Sequence, residues 1–156
     1  MTKAAVSLSG RDILDLSSLS VEEYDLIMRT AAEMKKVMKR DIKKLPSLRG
    51  KSIVNLFYEN STRTRSSFEL AGKYLGADVI NLSTGTSSVK KGECLKDTIL
   101  TMQSMACDAI VMRHPVEGAA KYAADIATPI VINAGDGAHA HPSQGLLDMF
   151  TILEHG

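Results

Sequence analysis

The stretch SIVNLFYENSTRTRSSFE, Ser52–Glu69, decides how the rest of the chain is read. Its first six residues, 52–57, form a short and mostly apolar run of strand length. Phe68, Ala71 and Leu75 then recur at helical spacing. Between the two lies a polar loop, with Ser61 placed as the N-cap of the helix and Thr62, Arg63 and Thr64 as its first turn. A strand that passes through a short loop into a helix is the opening half of a βαβ unit.

Working outward, the chain holds three more strand-like runs: ADVINL (77–82), DAIVMR (108–113) and PIVINA (129–134). Most are continuous rather than alternating, as expected of strands covered on both faces. Helical patterns separate them. One carries Leu95, Ile99, Met102 and Ala106. The next is EGAAKYAADIA, and the last runs from Pro142 through Leu146, Leu147, Phe150 and Leu153. Before the first strand, Ser20 and Glu23 form a capping box for a helix whose apolar stripe is Tyr24, Ile27, Met28, Ala31, Met34, Met38 and Ile42. The expected architecture is therefore a doubly wound α/β domain. It has a mainly four-stranded parallel sheet and helices on both faces, and 1–156 form a single domain.

Composition narrows the function. The chain has 156 residues, enough for one substantial core. A formal net charge of +1 gives no general attraction to nucleic acid or to an anionic membrane. No apolar run is long enough to span a bilayer, and MTKAAVSLSG lacks the apolar centre of a secretory signal. A cytoplasmic location is expected, with Cys94 and Cys107 as reduced, buried thiols.

Ligands of open parallel sheets bind beyond the carboxyl ends of the strands. The segment after each strand is polar here: YENSTRTR, STGTSSVKKGE, RHP and GDGAHAHPSQ. The first is the most informative. The free N–H groups and the dipole of a helix N-terminus favour an anion, the hydroxyls of Ser61, Thr62 and Thr64 add donors, and Arg63 or Arg65 adds a fork suited to phosphate oxygens. Ser61 alone reads as a plain cap; two arginines beside it do not. Arg113 either snorkels to water or makes a second anion contact. His139 and His141 lack the cysteine or carboxylate that would complete a metal set, so no metal and no cofactor is expected. His141 suits a hydrogen bond to a substrate carbonyl, or a helix cap. The lysines of VKKG read locally as solvated.

Taken together, STRTR-SFE, KKGE, MRHP, NAGDG and HPSQ resemble the amino-terminal, carbamoyl-phosphate-binding domain of the transcarbamoylases, in that family's order and spacing from about Ser20 onward. Glu59, VMRHP and NAGDG resemble the aspartate branch rather than the ornithine branch, and Ser143 stands where the family's HPTQ has threonine. The resemblance implies that Ser61, Thr62, Arg63 and Thr64 hold the phosphate of carbamoyl phosphate. It implies that Arg113 contacts phosphate and the carbamoyl oxygen, that Thr64 and His141 polarise that oxygen, and that Gln144 orients the carbamoyl NH2. Ser87 and Lys91 would reach into a neighbouring subunit's site, so that a homotrimer completes the full-length enzyme, with room for a regulatory chain or a dihydroorotase as further partners. The family also carries a second, aspartate-binding domain, expected to be absent from this chain. The isolated chain is then expected to be inactive. Other readings are a non-catalytic phosphate-binding or trimer-assembly module, an ornithine-type domain, and a different nucleotide-binding domain; the last lacks a GxGxxG or P-loop sequence.

Overall fold

The computed structural model describes residues 6–83 and 94–156. Ser87 and Lys91 lie outside the described residues. Among those described, the elements in chain order are α1 (Val21–Met38), β1 (Ser52–Phe57), α2 (Thr62–Tyr74), β2 (Asp78–Ser83), α3 (Leu95–Ser104), β3 (Ala109–His114), α4 (Ala119–Ile126), β4 (Ile130–Asp136) and α5 (Pro142–His155). No described helix is long and apolar enough to cross a membrane.

The strands pair in the order β2-β1-β3-β4, all parallel. Ile53 faces Val79 on one side and Ala109 on the other, so β1 and β3 are the inner strands. The chain reverses its direction of travel across the sheet between β1 and β3. A crevice opens beyond the carboxyl ends of strands at such a switch point.

Alternate residues of the strands feed two cores. Val54, Leu56, Ile110, Met112 and Val131 meet Ile99 and Met102 of α3 and Ala119 and Ala123 of α4. On the opposite face Phe57, Val111 and Ala134 pack with Ile53, Ile132 and Phe68 of α2. Burying Leu56, Ile99 and Ile110, each 0% exposed, contributes roughly 2 kcal/mol apiece. The outer edge of β4 is covered by the N-terminal segment, which the sequence pattern did not reveal. Ile13 bridges Ile132, and the carboxylate of Asp12 accepts from Val131 N at 2.7 Å.

Three expectations need correction. Helix α1 keeps its capping box, with Glu23 N donating to Ser20 Oγ and Ser20 N donating to Glu23 Oε2. It ends at Met38, however, and not beyond Ile42. Val37, outside that stripe, is the last buried residue of the helix; Met38 and Ile42 are exposed, and without a packing partner another helical turn has little to stabilise it. Strand β2 is an edge strand, half-open to solvent with Ile80 exposed, rather than covered on both faces. Cys107 is a free, buried thiol, but Cys94 sits exposed at the N-cap of α3, where its thiol donates to Asp97.

Helix α5 leaves Leu147, Met149, Ile152 and Leu153 exposed, and an open apolar groove of about 510 Å³ runs between it and α1. Lys35 of α1 reaches Glu154 of α5 across that groove.

Candidate active site at the sheet switch point

The switch point is where β1 gives way to Tyr58 and Glu59, and where β3 ends in Arg113 and His114. Tyr58 N donates to Arg113 O at 2.9 Å, which ties the two strand ends together. The Tyr58 and His114 rings lie 4.7 Å apart. Glu59 Oε2 stands 3.2 Å from Arg113 Nε as an ion pair that is too far off line for a hydrogen bond. A lysine at position 59 would instead repel Arg113.

Helix α2 starts directly above this point. Ser61 occupies its N-cap with φ −143°, but its side chain makes no capping hydrogen bond, contrary to the plain-cap expectation. Among the described residues nothing accepts from the amides of Thr62, Arg63 and Thr64. Those donors, and the positive end of the helix dipole, remain available to an anion.

The other wall is the start of α5. His141 is its N-cap, Pro142 its first residue, and Gln144 lies in its first turn with Nε2 donating to Asp148 at 2.8 Å. A cavity of about 320 Å³ lies between the two helix starts. Arg63, Thr64 and Phe68 of α2 line one side, and His141, Ser143 and Gln144 the other. Ser61 and Thr62 stand at the start of α2, outside this lining. Arg113 also does not line it; its guanidinium lies behind Gly135.

That glycine sets the spacing. A Cβ at Gly135 would fall 2.7 Å from Arg113 Nη1 and 3.4 Å from His141 Cδ2, and its φ is +119°. The guanidinium and the imidazole therefore approach the same spot from two sides. Arg113 Nη1 is held by Ala134 O at 3.1 Å.

Charge agrees with this placement. Burial pushes the His141 imidazole below its ordinary range, and the positive charges of Arg113 and Arg63 push it further the same way. His141 is thus neutral near pH 7 and able to donate one N–H, with its Nδ1 3.3 Å from Ser143 Oγ. Burial also lowers His114, only partly offset by the negative charges of Glu59 and Asp136.

The sign for stability follows from linkage. Both imidazoles bind protons more readily unfolded than folded, so stability is full above the ordinary imidazole pKa of ~6.5 and falls as pH drops through that window. Melting scans between pH 7.5 and 5 are expected to show a falling Tm that flattens in His141→Gln. A profile unchanged by that substitution would contradict the half-buried, neutral imidazole.

Comparison with known proteins gives the decisive match. The family model for the aspartate/ornithine carbamoyltransferase, carbamoyl-P binding domain, matches residues 11–154. The chain belongs to this family. Among curated relatives of this carbamoyltransferase family, the aspartate carbamoyltransferase catalytic subunit of Syntrophomonas wolfei is 59% identical over 149 residues, covering 96% of this chain and 48% of that protein. That of Desulforamulus reducens is 59% identical over 144 residues, covering 92% and 46%. The chain spans about half the length of the curated relatives it matches. Among solved structures, aspartate transcarbamoylase from Trypanosoma cruzi in complex with carbamoyl phosphate superposes with a TM-score of 0.87 at 38% identity, over 94% of this chain and 47% of that one. The catalytic subunit from M. jannaschii gives 0.83 at 44%, over 92% and 46%. These relatives carry the aspartate name, in agreement with the branch read from Glu59.

Proposed function

We propose that this chain is the carbamoyl-phosphate-binding half of an aspartate carbamoyltransferase, which transfers the carbamoyl group from carbamoyl phosphate to L-aspartate and releases phosphate. The observation that carries it is that Arg63, Thr64, His141 and Gln144 line one hollow at the switch point, with the Arg113 guanidinium beside His141 behind Gly135. The solved relative from T. cruzi with carbamoyl phosphate bound supports the choice of ligand.

In this reading the amides of Thr62, Arg63 and Thr64, the Ser61 hydroxyl and the Arg63 guanidinium hold the phosphate. Thr64, Arg113 and neutral His141 donate to the carbamoyl oxygen, and Gln144 accepts from the carbamoyl NH2. As the amine of aspartate attacks the carbonyl carbon, negative charge grows on that oxygen. It then leaves with the bridging oxygen of the phosphate when the C–O bond breaks. Fixed donors stabilise both oxygens without reorganising, and losing one typically costs about 3–4 kcal/mol of transition-state stabilisation. The amine's proton passes to the departing phosphate. The reaction belongs to pyrimidine biosynthesis, in the cytoplasm. The partner residues Ser87 and Lys91 complete the site in a homotrimer, and a second domain supplies the groups that hold aspartate.

The 156-residue chain alone is accordingly expected to bind phosphonoacetamide weakly and to form no carbamoyl aspartate from carbamoyl phosphate and aspartate. Titration calorimetry should give heat with the native chain that Arg63→Ala removes. Heat that survives this substitution, or sustained turnover by the chain alone, would sink the assignment of the site or of its incompleteness respectively.

A further inference from the structure

The carboxylate of Asp136, at the end of β4, is 1% exposed and takes no part in the chemistry above. All its neighbours are donors. Oδ1 accepts from Asn133 Nδ2 at 2.8 Å and from Ala140 N at 3.1 Å, and Oδ2 accepts from Gly118 N at 2.9 Å. His139 Nδ1 lies 3.1 Å from both oxygens. The backbone of Asp136 closes the same loop, since its N donates to Ala140 O and its O accepts from His139 N, both at 3.1 Å. Burial alone would raise this carboxyl. The hydrogen bonds from Asn133, Gly118 and His139 outweigh that and hold it below the usual carboxylate range, so it is ionised at neutral pH.

These contacts join three parts of the fold. Asn133 belongs to β4, and its Oδ1 accepts from Gly135 N at 2.9 Å, fixing the glycine that spaces Arg113 from His141. Gly118 opens α4 with φ +77°. Ala140 is the residue directly before His141. A free loop of this length would let His141 wander by more than the fraction of an ångström that an aimed donor tolerates. Only an acceptor with no N–H of its own fits among these donors, because an amide would turn its NH2 against at least one of them.

We infer that Asp136 is a positioning residue for carbonyl recognition: its buried carboxylate locks the loop 136–140 onto β4 and α4, and so aims His141 at the substrate's carbonyl oxygen. The inference rests on the reading of His141 given above. It separates two halves of the site that would otherwise act together. Phosphate is held at the start of α2, which Asp136 does not touch, whereas the carbonyl is met by the loop that Asp136 holds.

The test compares two probes on the 156-residue chain by calorimetry: inorganic phosphate, and phosphonoacetamide, which adds a carbonyl. Asp136→Asn has nearly the same volume. It is expected to weaken phosphonoacetamide about tenfold, the loss of one well-aimed hydrogen bond, and to leave phosphate within about twofold. Equal losses for both probes, or no loss for either, would overturn the positioning role. If the native chain binds the two probes equally well, the role of His141 fails first and the inference goes with it. Amide exchange on the native chain needs no variant. The Gly118 and Ala140 amides should exchange at least a hundredfold more slowly than that of exposed Ala138. Rates equal to that of Ala138 would overturn the lock even if Asp136→Asn does not fold.

Discussion

Gly135→Ala is expected to lower the melting temperature by about 5 °C and to remove measurable binding of phosphonoacetamide, although residue 135 offers the ligand no side chain. Two effects add. At φ +119° a side chain is strained, which costs on the order of 1–3 kcal/mol, and each kilocalorie moves Tm by roughly 2–4 °C at this chain length. The new methyl would also fall 2.7 Å from Arg113 Nη1, closer than the atoms allow. Something must shift. The carbonyl of Ala134 is part of the buried strand, whereas the guanidinium ends a long side chain, so Arg113 is the group that moves. Differential scanning calorimetry and ligand titration on the same sample check both halves. Full binding with a lowered Tm would show that the guanidinium's position behind residue 135 is irrelevant to the ligand.

Arg113→Ala should have the opposite balance, a large effect on ligand and a small one on the fold. Phosphonoacetamide is expected to bind about a hundredfold more weakly, since a hydrogen bond to a charged group contributes roughly 1.5–3 kcal/mol. Folding should lose only about 1 kcal/mol, from the donor withdrawn from Ala134 O. Glu59 loses its ion-pair partner but keeps access to water, with 38% of its side chain exposed, so little stability depends on that pair. Arg113→Lys should not restore binding. A single ammonium cannot face Ala134 O, Glu59 and a ligand in the planar arrangement of the guanidinium. Unchanged affinity in Arg113→Ala would remove this residue from the site.

The contrast between these two positions also shows what the sequence could carry. Runs such as AIVMR announce strands because a strand buried on both faces has to be mostly apolar, and β1, β3 and β4 obey apart from buried Asn55, Asn133 and Asp136. Strand β2 was harder to read, because ADVINL looks equally apolar whether its outer edge is covered or not. Helix α2 and its arginines were legible from local spacing and from the chemistry of a helix start. The end of α1 was not, since periodicity continues to Ile42 while the surface that would bury it does not. The chemistry-bearing residues stand next to turns and strand ends, where a linear reading finds them. What places them together is long-range: the ion pair from Glu59 to Arg113, the glycine spacing Arg113 from His141, and the carboxylate beneath the loop. Asp136 is visible in NAGDG only as one more turn residue, because nothing local tells a solvated aspartate from one surrounded by donors.

The order of the strands has a consequence for how the molecule comes into being. Translation delivers β1 early, yet its inner flank is filled by β3, after β2 and α3 have been made, and β3 in turn waits for β4. Contacts between such distant segments form slowly, and an apolar strand with an open side invites wrong partners meanwhile. A nascent polypeptide of this kind therefore has reason to depend on chaperones until β4 has left the ribosome. The hollow between α2 and α5, whose walls are made on either side of that delay, comes into existence only when the wait is over.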